Sequence, residues 1–410
     1  MTEQTSRRFW QTPWGYGESS AIVAGIALVG VMLQLSIGSF DFFLLANPIN
    51  KIIGLAFILF ATLMGVLCPK SRAARFMTSI PLSVALIVAI LALTIIMGLT
   101  PQVAAGADSR MALGFDSMTT NWSFVLLYGC VLLTLGATIA CRLRRFRVGR
   151  DIPFIVQHVG LWLLLAASGL GYADMERYVM YVQEGETQWR VYNDEGAVKE
   201  LPIAIKLNDF DMEVYPPRLV IIDRETGEVQ PITKPQYYQI DPDQSEGQLA
   251  EWSITIHEYI HEAVRSSDST YRHVPMPGAT PAIWITADNG KQSLSGWVSG
   301  SNALQGYITL PLSDEHSIVM TPADPRRYLS DVEVYTQQGS AVQARIEVNS
   351  PLWLDNWTIY QYGYDNAAGD LSSYSSFELV YDPWVSAVYI GIILIMIGSL
   401  AMIRQGRRRR

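Results

Sequence analysis

Six apolar stretches punctuate the chain, at residues 20–39, 48–68, 80–98, 123–141, 153–172 and 384–403. At 1.5 Å rise per residue, about 20 helical residues cross a hydrocarbon core roughly 30 Å thick, so each stretch is predicted to be a transmembrane helix. Residues 173–383 follow a different rule. Apolar and polar positions alternate there, as in Glu333-Val334-Tyr335 and Trp357-Thr358-Ile359-Tyr360, and the runs are broken by Pro216-Pro217, Asp288-Asn289-Gly290 and Gln338-Gly339. Period-two alternation between turn residues predicts antiparallel β-structure. The expected fold is an integral membrane α-helical protein with six spans and a large antiparallel β-rich domain. Its parts are 1–172 with five spans, 173–383 as the β-rich domain, and 384–410 as the last span and a basic tail. Because 20–39 is long enough to span and a second apolar run follows closely, no cleavable signal peptide is expected.

Charge turns this pattern into a topology. Residues 1–171 hold 12 basic against 6 acidic side chains, 172–383 hold 13 against 32, and the remainder 5 against none, which leaves the chain at −8. An acidic domain between basic, greasy flanks is a membrane pattern and speaks against a nucleic-acid partner. Lys and Arg of short loops collect on the cytoplasmic side. Arg7 and Arg8 precede the first stretch, Lys70, Arg72 and Arg75 follow the second, and Arg142, Arg144, Arg145, Arg147 and Arg150 separate the fourth from the fifth. The alternate loops carry Arg110 alone, with Lys51 at the edge of the second stretch counting mildly the other way. Both termini are therefore expected inside, Arg404 and Arg407 to Arg410 holding the second of them, and the β-rich domain is expected to be extracytoplasmic.

Candidate chemistry is sparse. Cys68, Cys130 and Cys141 all lie in or beside apolar runs, so the β-rich domain holds neither a disulfide framework nor a CxxC pair. His257-Glu258-Tyr259-Ile260-His261 fits the HExxH pattern of zinc proteases, which needs a helix to bring both histidines to one metal. The preceding Trp252-Ser253-Ile254-Thr255-Ile256 alternates like a strand, and a strand holds residues four apart roughly 13 Å from each other. The reading here is strand. His273 and His316 sit among polar residues as surface side chains, and Gln34, Ser36, Thr62 and Thr94 are mild polar groups of the kind that bond within helices. His158 differs, being the only histidine in a predicted span, about 8 Å past Pro153 along the helix. An ionisable group in lipid is expensive, which makes function the working hypothesis. Phe154, Leu161 and Trp162 share its face and give it apolar and aromatic walls suited to a porphyrin. A structural histidine bonded to a backbone carbonyl or a neighbouring helix is the other reading of the same position. The arginines from Arg142 to Arg150 could contact anionic lipid head groups or haem propionates, but topology alone already accounts for them.

From Phe154 onward the chain resembles the ResB/CcsB family of cytochrome c biogenesis proteins. The resemblance runs in order through FIVQHVGLWLLLAASGLG at 154–171, EGE at 184–186, LPIAIKLNDFDMEVYPPRL at 201–219, YLSDVEVYTQQG at 328–339, IEVNSPL at 346–352, WTIYQYGYD at 357–365 and VYDPW at 380–384. It implies a subunit in a bacterial inner membrane that, with a CcsA-type partner, exports haem b and attaches it to apocytochrome c. His158 would be an axial haem ligand, with Phe154, Leu161 and Trp162 around it. The chain departs from the family in having five predicted spans before the large domain, where three are usual. It also lacks a tryptophan-rich haem-handling segment and a second membrane histidine, so it is expected to be one part of a synthase and not catalytic alone. A scaffold that stabilises the partner without binding haem is the alternative function.

Overall fold

The computed structural model describes residue 10 and residues 13–408, apart from 104–108, 193–197, 242–243, 268–269, 275, 277, 302–304, 367 and 369–371. Arg7, Arg8, Arg409 and Arg410, used above for topology, lie outside the described residues. The α-helices are α1 (Tyr16–Ile37), α2 (Ile49–Thr62), α3 (Arg72–Met77), α4 (Ile80–Leu99), α5 (Trp122–Arg144), α6 (Ile152–Gly171) and α7 (Val385–Arg408). A π-helical turn over Leu63–Leu67 prolongs α2. Among the described residues all but α3 are long and apolar enough to cross a membrane, six in number as hydropathy predicts. Their ends differ from the hydropathy limits where capping decides. Helix α1 starts before residue 20 because the Glu18 carboxylate accepts the backbone N–H groups of Gly15 at 2.9 Å and Trp10 at 3.1 Å, closing its first turn. Helix α5 runs past 141 because Arg142 and Arg144 in its last turn oppose the negative end of the helix dipole.

The membrane unit comprises residues 1–176 and 382–410. Helix α5 touches α1, α2, α4 and α6, while α6 packs chiefly on α7. Val23, Leu82, Leu86 and Leu127 form the buried centre of the α1, α4 and α5 group. The α6–α7 contact is built on glycines. A Cβ on Gly160 would lie 2.7 Å from Leu394 Cβ, on Gly391 2.8 Å from Leu164 N, and on Gly398 2.4 Å from Gln157 N. In lipid there is no hydrophobic drive between helices, so close backbone packing of this kind carries the association. At the other end of α6, Asp174 gathers the backbone N–H of Asn47 at 2.8 Å, the Asn50 amide at 2.7 Å and the Trp384 indole at 2.8 Å. One carboxylate thereby ties the beginnings of α2 and α7 to the end of α6.

The second unit, Arg177–Tyr381, is made of antiparallel sheets in two nested pairs. In the outer pair one sheet runs Ala341–Glu347, Pro325–Thr336, Val198–Val214, Thr187–Tyr192, and the other Glu176–Gln183, Tyr374–Tyr381, Trp357–Tyr364, Leu352–Leu354. Every second residue of Val198–Val214 from Leu201 to Leu207 is buried, so the alternation read from sequence is the packing itself. These residues meet Met180, Val332, Phe377 and Leu379 in one core. The inner pair is inserted between Val214 and Pro325. Its sheets are ordered Ser293–Ser299, Thr280–Asp288, Trp252–Ser267, Glu246–Leu249 and Leu310–Pro311, His316–Met320, Arg218–Asp223, Val229–Gln230, around Leu219, Trp252, Ile254, Ile283 and Ile318.

Candidate functional site

Pro153 occupies the first turn of α6, where a missing N–H costs nothing, and the helix then carries His158 inward from that end. The His158 Nδ1 lies 2.8 Å from the Phe154 carbonyl oxygen. A carbonyl can only accept, so Nδ1 holds the proton and donates, and the neutral ring keeps its lone pair on Nε2. No other hydrogen bond to the ring occurs among the described residues. The Phe154 ring lies against the imidazole, with centroids 3.7 Å apart and planes 23° from parallel. The half-buried histidine thus has one nitrogen fixed, one face covered and one nitrogen open.

Beyond Phe154 the contacts lead to charge. The Arg142 guanidinium, from the last turn of α5, stands 5.1 Å from the centroid of the Phe154 ring. Its Nη2 is 2.7 Å from Asp151 Oδ1. Asp151, buried at the start of α6, also accepts Arg150 Nε at 2.9 Å, Arg150 Nη2 at 3.1 Å and the Arg147 backbone N–H at 2.9 Å. The hydrogen bonds from Arg150, before all other causes, hold the Asp151 carboxyl down at about 2 although burial pulls it up. A continuous string Asp151, Arg142, Phe154, His158 therefore joins a buried carboxylate to the membrane histidine.

The structure joins Phe154 to His158 and turns the other two candidates elsewhere. The Trp162 indole donates to the Leu132 carbonyl of α5 at 3.1 Å, and Leu161 is 37% exposed on the outside of the bundle. Asp151 escapes the sequence reading, and in the cluster from Arg142 to Arg150 a contact with lipid head groups or haem propionates gives way to topology, which alone accounts for the arginines. The signal was the single acid at position 151, between five arginines and a helix-starting proline. A cavity of about 350 Å³ lies toward the opposite end of α5 and α6, walled by Phe40, Phe57, Phe124, Tyr128 and Tyr172 among others. Among the described residues no imidazole, thiol or carboxylate lines it, and the Tyr128 hydroxyl is committed to the Leu165 carbonyl at 2.7 Å.

The HExxH sequence lies within the strand Trp252–Ser267, as its alternation predicts. His257 Nε2 is 2.7 Å from the Thr286 hydroxyl, and His261 Nδ1 is 3.3 Å from the Tyr259 hydroxyl, so the two rings have separate partners. Among the described residues no cluster of three or more His, Cys, Asp or Glu side chains is placed to hold a metal ion. If the chain serves cytochrome c maturation as its resemblance implies, Glu258→Gln is accordingly expected to leave that maturation near normal in a complementation assay. Complete loss of maturation, with stoichiometric zinc in the wild-type protein, would restore the protease reading.

Six apolar helices and an antiparallel β-rich unit define a multi-pass membrane protein with a large β-sheet region. Residues 309–374 match the ResB-like family, which is linked to cytochrome c biogenesis and agrees with the resemblance seen in the sequence. The match takes in the segments at 328–339, 346–352 and 357–365, and the helix bearing His158 lies outside it. No curated protein matches the chain.

Proposed function

We propose that this chain is the ResB-type subunit of a haem export and attachment complex, in which His158 gives haem b one axial ligand. One observation carries the reading: Nε2 is left without a hydrogen-bond partner among the described residues while the Phe154 carbonyl, in a bond a structural histidine would share, fixes Nδ1–H, the arrangement a metal-binding imidazole requires. The single imidazole would suit one ligand position of a haem and no self-contained metal site, since among the described residues no cluster of three or more His, Cys, Asp or Glu side chains is placed to hold a metal ion. When bound, the haem supplies the groups to which two thiols of apocytochrome c add. The chain's own work is positioning. Phe154 and the helix-fixed Nδ1–H set the ring orientation, the surrounding spans keep water away, and the acidic β-rich domain offers a docking surface for partner or substrate. The second axial ligand and the tryptophan-rich segment fall to a CcsA-type membrane partner. Purified with that partner, the complex is expected to show a strong Soret band that the partner alone does not reproduce, whereas a scaffold without haem would leave the partner's spectrum unchanged.

The reading includes a place and an orientation: the bacterial inner membrane, with the β-rich domain on the extracytoplasmic side. Arginines gathered in alternate loops and an even number of spans support it. Ser245, exposed beside the strand Glu246–Leu249, is a suitable reporter. With Cys68, Cys130 and Cys141 replaced by Ser, Ser245→Cys is expected to react with a membrane-impermeant thiol reagent in intact spheroplasts. Labelling only after lysis would reverse the orientation.

A further inference from the structure

We infer that Arg142 receives a carboxylate of the same ligand that His158 binds through iron, so that the two residues clasp one amphipathic molecule by its metal and its acidic edge. This rests on the reading of His158 as a haem ligand and adds a second, chemically different contact.

Three observations carry it. Arg142 Nε is buried and has no hydrogen-bond partner among the described residues, although its Nη2 reaches Asp151. A buried N–H donor left unpaired is costly and marks a place where an acceptor belongs. Asp151 cannot be that acceptor in full, because Arg150 already engages both of its oxygens and the Arg147 N–H takes one again. Among the described residues, two guanidinium groups against one carboxylate also leave one positive charge uncompensated at the start of α6. The third observation is position. The Arg142 guanidinium lies over the Phe154 ring, and that ring lies on the His158 imidazole.

Phe154 is one helical turn, about 6 Å, nearer the polar end of α6 than His158. A flat molecule held by its metal at His158 has its apolar body among the spans, and its carboxylates must point to the polar end, since burying them unpaired in hydrocarbon is prohibitive. Haem has this form, with two carboxylates on one edge. Arg142 meets that edge with a planar fork of donors and 41% of its side chain still exposed for access. A lipid phosphate has the same chemistry, and the test separates the two.

The full chain, purified in detergent, is titrated with ferric haem and with haem dimethyl ester, whose carboxylates are masked, and binding is read from the Soret band. The wild-type protein is expected to favour the free acid. Arg142→Gln should weaken free-acid binding roughly tenfold, the scale of one charge-assisted hydrogen bond, and leave the ester unchanged. Arg142→Lys, which keeps the charge and loses the fork, should restore part of the preference and serves as the deciding variant if Arg142→Gln fails to fold by size exclusion and melting. His158→Ala should weaken both ligands alike. An unchanged acid-to-ester ratio in the arginine variants overturns the assignment, and if bound anionic phospholipid is lost at the same time in native mass spectrometry, the arginine belongs to lipid. Unchanged binding of both ligands by His158→Ala would instead defeat the ligation reading on which the inference rests.

Discussion

Gly398→Leu is expected to unfold the α6–α7 pair and to strip the protein of haem without touching a ligand. A Cβ at Gly398 would sit 2.4 Å from Gln157 N and 2.7 Å from Gln157 Cα, both backbone atoms of α6. No side-chain rotation relieves such a clash, so the helices must part. Overpacking of a well-filled site costs about 1–3 kcal/mol and more when backbone has to move. The displaced residue adjoins His158, and Gly160 and Gly391 bring the same two helices together further along. Loss of this seam therefore moves the histidine along with the helix. Thermal melting with size-exclusion detection should show a large drop in midpoint and yield, and haem content should fall with them. Gly25→Leu is the matched control, because nothing lies within 4 Å of a Cβ there on α1, and it should behave as wild type. Equal stability of the two variants would mean that α6 and α7 do not approach as closely as the glycines require.

The spans were legible because about 20 apolar residues in a row have few alternatives in a folded chain. Their ends were less so. Hydropathy treats Glu18 as a reason to exclude a turn, whereas its carboxylate is what closes that turn. Alternation announced β-structure, and burial from Leu201 to Leu207 follows it residue by residue. The nesting of one sheet pair inside another was not legible, because it depends on pairings such as Leu207 with Val332 that no local pattern encodes. The site divided in the same way. His158 stood out alone, as the one histidine in an apolar run, but its link to Asp151 passes through Arg142 on a different helix. Facing residues on one helix can be read at spacings of three and four, and Phe154 was found by that rule. A contact across two helices has no such period, and the arginine was absorbed into topology.

His158→Ala is expected to abolish or sharply reduce copurified haem while leaving the amount of membrane protein comparable. The fold should tolerate the change. Alanine removes a polar group from the apolar layer, and the bond that is lost runs only one turn along the same helix, to the Phe154 carbonyl. Even hydrogen bonds between membrane helices are worth only about 0.6 kcal/mol on average. Leu132 keeps its bond from Trp162, and Asp151 keeps its bonds from Arg142 and Arg150, so α6 remains anchored at its start and its middle. Stability and ligation are thereby separated: on the proposed reading the variant would lack the Nε2 that holds the iron, and among the described residues no ligand cluster is placed to replace it. Any haem that remains should show a high-spin spectrum, and cytochrome c maturation should fall with the haem content. Added imidazole should enter the space vacated by the side chain and restore part of the low-spin spectrum, since it offers the same nitrogen. A His158→Ala protein with wild-type haem content, spectrum and maturation would sink the assignment and leave the scaffold reading in its place.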